Sequence, residues 1–300
     1  MKMREDQGVL YVAFGYWFVL MATHSAVTLA RTNPGLPVSL ITNVPVGSIS
    51  FSGRRVFNEI NVVYEGADHN RAYKLSMNLE TPYEKTIFLD CDTVVRGDLT
   101  PLFDALDWFN VAIKMNGYPG REGAIPLMAE SLRYYGLTEY NSGVIAFRKK
   151  ETSQFFESWR QNYQSGTSFQ DQVSLAKTIY ESKGVHRLLP LSAIWNLKPE
   201  SLSEAVLLET CPEEVKIVHY REVFKFDEIG SEFIRNRENF SLVWSGDSAS
   251  DAWREEVDKV ERMIETAAPT AKSLLAYRPK LPLSQRLRKG VRRRLRSFGF

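Results

Sequence analysis

The sequence contains little cysteine and no segment of low complexity. Its two cysteines, Cys91 and Cys211, lie far apart and form no C-x-x-C pattern, which argues against both a disulfide framework and a zinc knuckle. Such cysteine usage is typical of a reducing compartment, so we expect a cytoplasmic protein. The other features, 44% hydrophobic and 25% charged residues in a chain of 300, predict an ordinary globular protein with one large core domain.

Charge is missing from the 19 residues between Val9 and Val27, a length that could span a membrane. We nevertheless predict a buried strand over "VLYVAF", a turn at Gly15, and a helix that ends before "TNPG", because the apolar positions after Trp17 recur at helical spacing. The usual order of a basic region, an apolar region and a small-residue cleavage site is also absent, so we predict no signal peptide here.

Acidic residues are missing from residues 278–300, which carry nine lysines and arginines. The rest of the chain has 29 basic and 36 acidic residues, a net charge of −7. We therefore predict a body at 1–276 and a basic helical C-terminal tail at 277–300. Apolar residues recur every three or four positions in this tail, at Leu283, Leu287, Val291, Leu295 and Phe298. This pattern favours an amphipathic helix lying on an anionic membrane surface, at the inner face of the membrane, over a solvated tail or a nucleic-acid patch.

Strand and helix patterns alternate along the body. Strand-like runs are "LPVSLITN", "FNEINVVYE", "KTIFLDCDTVV" and "YNSGVIAFRKK", a helical pattern covers "NRAYKLSMNLETPY", and "TPLFDALDWFNVAIKM" supplies a short helix and a strand. Such alternation predicts an α/β domain with a mostly parallel central sheet. Ligands of open α/β sheets bind beyond the carboxyl ends of the strands.

Asp90 and Asp92 stand at what reads as such a strand end, on either side of Cys91. Because side chains alternate along a strand, the two carboxylates project to one face and the thiol to the other. Two like charges this close need a cation, a shared proton or full solvation. The pair alone therefore indicates a metal site, an acid/base dyad or a solvated turn.

Asp171 and Gln172 fall near the start of a helix for which Thr167 is the predicted N-cap and Gln170 its capping-box partner. At that position Asp171 either complements the helix dipole or reaches a polar ligand. His219 ends the strand-like run "VKIVH", where it is either a structural residue or a ligand.

Five short segments in this order resemble the family of retaining glycosyltransferases that contains glycogenin and the bacterial lipopolysaccharide galactosyltransferases. They are "KLSMNL" with "EKTIFLDCDTVVRGDLTPLF", then "YNSGVIAF", "DQVSL", "IWN" and "VHYREVFK". The resemblance runs from about residue 8 to residue 230 and implies a single GT-A domain, the family's nucleotide-sugar-binding α/β fold.

The resemblance also implies a role for each matching residue. Asp90, Asp92 and His219 would hold Mn²⁺ or Mg²⁺ against the diphosphate of a UDP-sugar donor, as their hard ligand set permits. By the same resemblance, Lys225 would contact the diphosphate and Lys74 would contact the donor. Asn141 and Asp171 would contact the transferred sugar, and Gln172 would lie closest to its anomeric carbon. The base and ribose would lie against three residues: Ala13, Phe14 and Phe18. The sequence departs from the family pattern at Glu222, where a glycine is usual, and at Phe18, where a tyrosine is common.

These implications predict a hexosyltransferase that acts on a saccharide or lipid-linked acceptor and binds no nucleic acid. A nucleotidyltransferase that makes sugar nucleotides shares the α/β plan, but "AFGYWF" is not the glycine-rich, lysine-bearing loop that it needs after the first strand. A non-catalytic carbohydrate-binding protein of the same fold has no need of Asp90, Asp92, His219 and Lys225 together.

Overall fold

The structure of the chain, a computed structural model, describes residues 6–44, 46–51, 54–63, 73–115, 140–165, 171–182, 184, 186–198, 202–219 and 241–243. Several predicted features lie outside these ranges, namely Lys225, Glu222, Thr167, Gln170 and the tail at 277–300.

Seven strands form the central sheet, and they are runs of the apolar and β-branched residues that favour a pleated, buried surface. In spatial order they are β10 (Leu188–Leu191), β8 (Val111–Met115), β9 (Tyr140–Arg148), β6 (Lys85–Leu89), β1 (Gln7–Ala13), β2 (Val38–Thr42) and β5 (Glu59–Val62). Two smaller sheets join β11 (Ile217–His219) to β7 (Thr93–Val95), and β12 (Ser241–Val243) and β4 (Arg54–Arg55) to β3 (Ser48–Phe51).

The central sheet is mostly parallel, as the alternating pattern predicts. Four of its six strand pairs are parallel, while β9 runs antiparallel to both β6 and β8. This reversal has a direct consequence for the position of side chains. The amino end of β9, with Asn141, Ser142 and Gly143, lies at the same edge of the sheet as the carboxyl ends of β1 and β6.

Both faces of the sheet are buried, and β1 shows how one strand supplies them. Val9, Tyr11 and Ala13 belong to one apolar cluster, and Leu10 and Val12 belong to the other. The helices that the structure describes are α1 (Tyr16–Thr32), α2 (Met77–Glu80), α3 (Thr100–Ala105), α4 (Ser153–Ser165), α5 (Asp171–Glu181) and α6 (Leu202–Thr210), with a 3₁₀ turn at Ala193–Trp195. Helices therefore cover both faces, because α1 contributes to the first cluster and α4 to the second.

Two elements differ from the sequence-based predictions. The helix predicted over residues 70–83 is interrupted, since a turn at Leu75 and Ser76 separates helical residues 73–74 from α2. The strand predicted over residues 85–95 is split into β6 and β7 by a turn at residues 90–92. Each interruption lies beside a charged side chain, Lys74 or Asp90, and these two form an ion pair at 2.7 Å.

Within the described ranges, no helix combines the length and the apolarity that a membrane span requires.

Candidate functional site

The turn between β6 and β7 carries the two carboxylates and is anchored on two neighbouring strands. The N–H of Asp90 donates to the carbonyl of Gly143 in β9 at 2.7 Å, and the Cys91 thiol donates to the carbonyl of Val12 in β1 at 3.3 Å. Cys91 is buried, and burial raises the pKa of its thiol well above the ordinary value, so the thiol is neutral and unreactive. Asp90 and Asp92 are both only partly buried; they lie in a turn and not in a strand, so the strand alternation expected for them does not apply.

His219 completes a possible metal site with these two residues. β11 pairs with β7 so that His219 lies opposite Thr93, which brings its ring to the turn. His219 Nε2 is 3.1 Å from Asp92 Oδ1 and 3.8 Å from Asp90 Oδ2, and one potential ligand atom from each residue lies within 4.8 Å of the other two. Two carboxylate oxygens and one imidazole nitrogen fit Mn²⁺ or Mg²⁺, which also accept phosphate oxygens as ligands.

Lys74 lies on the other side of Asp90, and its side chain is almost fully buried. Its ammonium is 2.7 Å from Asp90 Oδ1 and 3.4 Å from Asp171 Oδ2, and it donates to the carbonyl oxygen of Ser142 at 3.2 Å. The Ser142 hydroxyl also donates to Asp171 Oδ2. The three N–H groups of Lys74 therefore have protein acceptors, and the donor contact implied for Lys74 stays a prediction.

The pKa values of these groups reflect burial first and charge second. Burial works to lower the pKa of Lys74, but Asp90 and Asp171 outweigh it, so this pKa is raised. Burial also dominates for Asp90 and leaves its pKa raised, although Lys74 and His219 oppose that change. For Asp92 the effect of burial is overcome by the adjacent His219 ring, and the pKa of Asp92 is lowered.

Charge counting gives the same picture as the donor set. Asp90, Asp92 and Asp171 carry three negative charges and Lys74 carries one positive charge, which leaves −2 when His219 is neutral. Among the described groups, a bound divalent cation would bring this total to zero.

Asn141 is connected to His219, a member of the candidate metal site, through a residue that sequence reasoning missed. Asn141 Oδ1 accepts hydrogen bonds from the N–H of Gly143 at 2.9 Å and from Asn196 Nδ2 at 2.7 Å, and Asn196 Oδ1 lies 3.0 Å from His219 Nδ1. Asn196 belongs to the quoted "IWN" motif, but no role is evident from the motif. Ser142 was also missed, because a serine beside Asn141 has no pattern that distinguishes it.

The residues expected at the nucleotide lie at the same edge of the sheet. Ala13 ends β1 and is fully buried, while Phe14 is buried edge-on against Tyr73, with ring centroids 5.0 Å apart. Gly15 adopts a φ of +89° and donates its N–H to Asn43 Oδ1 at 2.7 Å, a backbone conformation that glycine adopts without strain. Phe18 is exposed in the first turn of α1.

Asp171 and Gln172 are the first two residues of α5, and the carbonyl of Asp171 accepts a hydrogen bond from Trp159 Nε1 at 3.0 Å. Of the predicted site residues, the structure thus connects Asp90, Asp92, His219, Lys74, Asp171 and Asn141 through contacts. The contacts given above do not join the other four predicted residues within the described ranges to this network. These are Ala13, Phe14, Phe18 and Gln172.

Comparisons with known proteins agree with this architecture. The family described as glycosyl transferase family 8 matches residues 67–226, which is 160 of the 300 residues. No curated protein sequence matches the chain.

The fold is similar to solved glycosyltransferases of low sequence identity. The glycosyltransferase GlyE of Streptococcus pneumoniae TIGR4 is 14% identical with a TM-score of 0.52, and the match covers 85% of this chain and 64% of GlyE. The bifunctional glycosyltransferase WbbM is 16% identical with a TM-score of 0.54, over 80% of this chain and 51% of WbbM. The galactosyltransferase LgtC, solved with donor and acceptor sugar analogues, is 14% identical with a TM-score of 0.50, over 77% of this chain and 95% of LgtC.

The chain thus spans 64% and 51% of the lengths of GlyE and WbbM. The match with the family extends over more than half of the chain, and the GT-A fold predicted from the sequence agrees with the mostly parallel sheet observed here. The chain therefore belongs to glycosyl transferase family 8.

Proposed function

We propose that this chain is a metal-dependent, retaining glycosyltransferase that moves a hexose from a UDP-sugar to a saccharide or lipid-linked acceptor. The observation that carries the proposal is the cluster of Asp90, Asp92 and His219 at the edge of the sheet where ligands of α/β proteins bind. Family membership supports the same reaction class.

In this proposal Asp90, Asp92 and His219 hold the cation, and Mn²⁺ or Mg²⁺ are the ions that suit them. When bound, such an ion would offer positive charge to the diphosphate leaving group, whose negative charge grows as the bond between the anomeric carbon and the diphosphate breaks. Lys225 is proposed to add a second positive charge there, as the resemblance implies; it lies outside the described residues.

The proposed roles at the transferred sugar fall to Asn141, Asp171 and Gln172. Asp171 is suited to hold a sugar hydroxyl in a fixed position, because Lys74 and Ser142 restrain its carboxylate. Asn141 has its carbonyl oxygen committed to Gly143 and Asn196, so its contact with sugar is proposed for the amide nitrogen. Gln172 is proposed to lie next to the anomeric carbon, and the retention of configuration is taken from the family.

The nucleotide is proposed to lie over the carboxyl end of β1, with the backbone of Ala13 and Phe14 against the base and ribose. Phe18 is exposed and can stack on the base. Since phenylalanine lacks the hydroxyl of the usual tyrosine, its contribution is stacking alone.

The direct test measures UDP release from a panel of UDP-sugars by the full chain, with Mn²⁺, with Mg²⁺ and with excess chelator. Release that requires the metal and depends on the sugar supports the proposal. Formation of a UDP-sugar and pyrophosphate from UTP and a sugar phosphate would instead identify a nucleotidyltransferase. Saturable sugar binding with no UDP release under any condition would identify a carbohydrate-binding protein.

We further propose that the tail at 277–300 attaches the protein to the inner face of an anionic membrane, beside a lipid-linked acceptor. Each basic residue near such a surface contributes on the order of 1 kcal/mol. The test is sedimentation with anionic and neutral vesicles of the full chain and of a truncation that ends at Ala276. We expect binding of the full chain alone, to anionic vesicles alone, that weakens with salt. Equal partitioning of the two chains would contradict the proposal.

A further inference from the structure

A continuous set of buried hydrogen bonds leads from the backbone of β9 to the ring of His219. It starts at the N–H of Gly143, passes through the side chains of Asn141 and Asn196, and ends at His219 Nδ1. Asn141 and Asn196 are almost completely buried, at 1% and 0% exposed, so water does not offer these amides alternative partners.

The direction of every hydrogen bond in this set follows from its first donor. A backbone N–H can only donate, so the Asn141 side-chain atom that faces Gly143 must be the oxygen. The same oxygen lies 2.7 Å from an atom of Asn196, which must then be the amide nitrogen. The remaining side-chain atom of Asn196 is its oxygen, 3.0 Å from His219 Nδ1, and an oxygen there requires a proton on Nδ1.

We propose that Asn196 is a positioning residue that holds a proton on His219 Nδ1 and thereby leaves Nε2 as a bare lone pair facing Asp90 and Asp92. The inference rests on the proposed function, in which His219 is a metal ligand. A metal-binding imidazole commonly donates its other N–H to a partner that fixes the tautomer and the orientation of the ring.

The need for such a residue follows from the carboxylates around His219. In the absence of a cation, Asp92 Oδ1 is 3.1 Å from Nε2 and is a strong acceptor, which favours a neutral ring with its proton on Nε2. That proton would point into the space where the three ligand atoms converge. The acceptor that Asn196 provides on the opposite side of the ring opposes this tautomer.

The backbone fixes the distance between Asn196 and the ring. The carbonyl of Leu197 accepts a hydrogen bond from the N–H of His219 at 2.7 Å, and Leu197 bridges to Val218. On its other side the ring lies directly against Gly143, where a Cβ would overlap the ring atoms Cε1 and Nδ1. The ring therefore has little room to turn away from Asn196.

Two substitutions at position 196 separate a role in the tautomer from a role in packing. Asn196→Asp keeps an oxygen for the Nδ1 proton but buries a carboxylate against the oxygen of Asn141. Asn196→Leu keeps a similar volume but removes the acceptor. If Asn196 only fills space, Asn196→Leu should be the milder change in every measurement. If it holds the Nδ1 proton, Asn196→Leu should be the more damaging change for the metal site.

The first measurement is ¹⁵N NMR of the histidine rings in the metal-free full chain, with the signals of His219 identified by their loss in His219→Ala. The chain has four histidines, so the spectrum is simple. We expect protonated Nδ1 in the wild type and in Asn196→Asp, and a shift of the proton toward Nε2 in Asn196→Leu. A protonated Nε2 or an unprotonated Nδ1 in the wild type, or the same tautomer in Asn196→Leu, would overturn the inference.

The second measurement is calorimetric titration of the same proteins with MnCl₂, with and without UDP. We expect affinity to fall by about 10- to 100-fold in Asn196→Leu and by much less in Asn196→Asp. The matched control is Asn33→Leu, which also removes a buried asparagine that both accepts from and donates to backbone groups. We expect Asn33→Leu to lower stability and leave Mn²⁺ affinity unchanged; equal losses of affinity in Asn33→Leu and Asn196→Leu would overturn the inference.

The two measurements also separate this inference from the proposed function. A wild type that binds no Mn²⁺ but keeps its proton on Nδ1 would refute the metal site and leave the role of Asn196 intact.

Discussion

Asp90 belongs to two groups of charged side chains, a lysine side with Lys74 and Asp171 and a histidine side with Asp92 and His219. The two groups differ in the positive charge that faces their carboxylates. On the lysine side, Asp90 Oδ1 and Asp171 face the buried ammonium of Lys74. On the histidine side, the only ion-pair partner that the described residues give Asp92 is the ring of His219. Lys74 thus offsets one of the two negative charges on the lysine side, and no lysine or arginine among the described residues pairs with Asp92. A pair of carboxylates does not by itself reveal a functional site, because a protein cation such as Lys74 can offset part of its charge.

The largest expected effect tests the histidine side. Asp92→Asn removes a proposed metal ligand and should lower turnover by roughly a thousandfold, since metal stabilisation of a transition state is worth several kcal/mol. The free energy of unfolding should change by less than about 1 kcal/mol, because relief of the repulsion with Asp90 offsets the lost attraction to the His219 ring. UDP-release kinetics and urea denaturation measure the two effects.

Asp104→Asn is the matched control, since Asp104 is exposed on α3, and it should leave both quantities unchanged. Full activity of Asp92→Asn, or of the wild type in excess chelator, would show that the histidine side needs no cation.

The next effect tests the lysine side. Lys74→Met should lower the free energy of unfolding by about 3–5 kcal/mol, because it leaves two carboxylates without their buried counter-ion. Adding Asp171→Asn should restore part of this loss. Urea denaturation of the two single variants and the double variant measures the coupling between them.

Lys85→Met is the control for the loss of a buried lysine. Lys85 is also buried, but its partner Asp107 is half exposed, so water can solvate the carboxylate that remains. We expect a smaller loss of unfolding free energy for Lys85→Met than for Lys74→Met. Equal losses would mean that the burial of the carboxylates around Lys74 adds nothing to the cost of removing it.

A third effect concerns Gln172, next to Asp171 in the first turn of α5. Gln172→Ala should lower kcat roughly a hundredfold with little change in donor affinity, since its proposed contribution is made mainly in the transition state. Gln154→Ala, on the exposed face of α4, is the control. An equal loss of donor affinity would make Gln172 a binding residue.

The smallest effect concerns Gly143, which lies between the two sides. Gly143→Ala should lower the free energy of unfolding by about 1–3 kcal/mol, because the new methyl group overlaps the His219 ring. Affinity for Mn²⁺ should fall with it. Gly47→Ala is the matched control, since a Cβ at Gly47 meets nothing within 4 Å, and a normal Mn²⁺ affinity in Gly143→Ala would show that the ring is not held by this contact.

Local sequence patterns predicted much of the fold. The runs of apolar and β-branched residues that form β1, β2, β6, β8 and β9 all lie where strands were expected, and the predominance of parallel pairing was confirmed. The interrupted helix at residues 70–83 was not predicted, because its apolar spacing is also compatible with one continuous helix. Lys74, beside the interruption, contacts Asp90 and Ser142, which lie outside the segment and which the local pattern does not reveal.

The sequence by itself determined which residues are candidates for the chemistry, since Asp90 and Asp92 at a strand end, His219 at another and the order of the motifs are local properties of the chain. The tertiary structure alone decided which charges are neutralised and which nitrogen of His219 faces the carboxylates. Coulomb energies and hydrogen bonds depend on distances of a few ångströms. Lys74 with Asp171, and Asn196 with His219, reach such distances only after the sheet has brought separate segments to one edge.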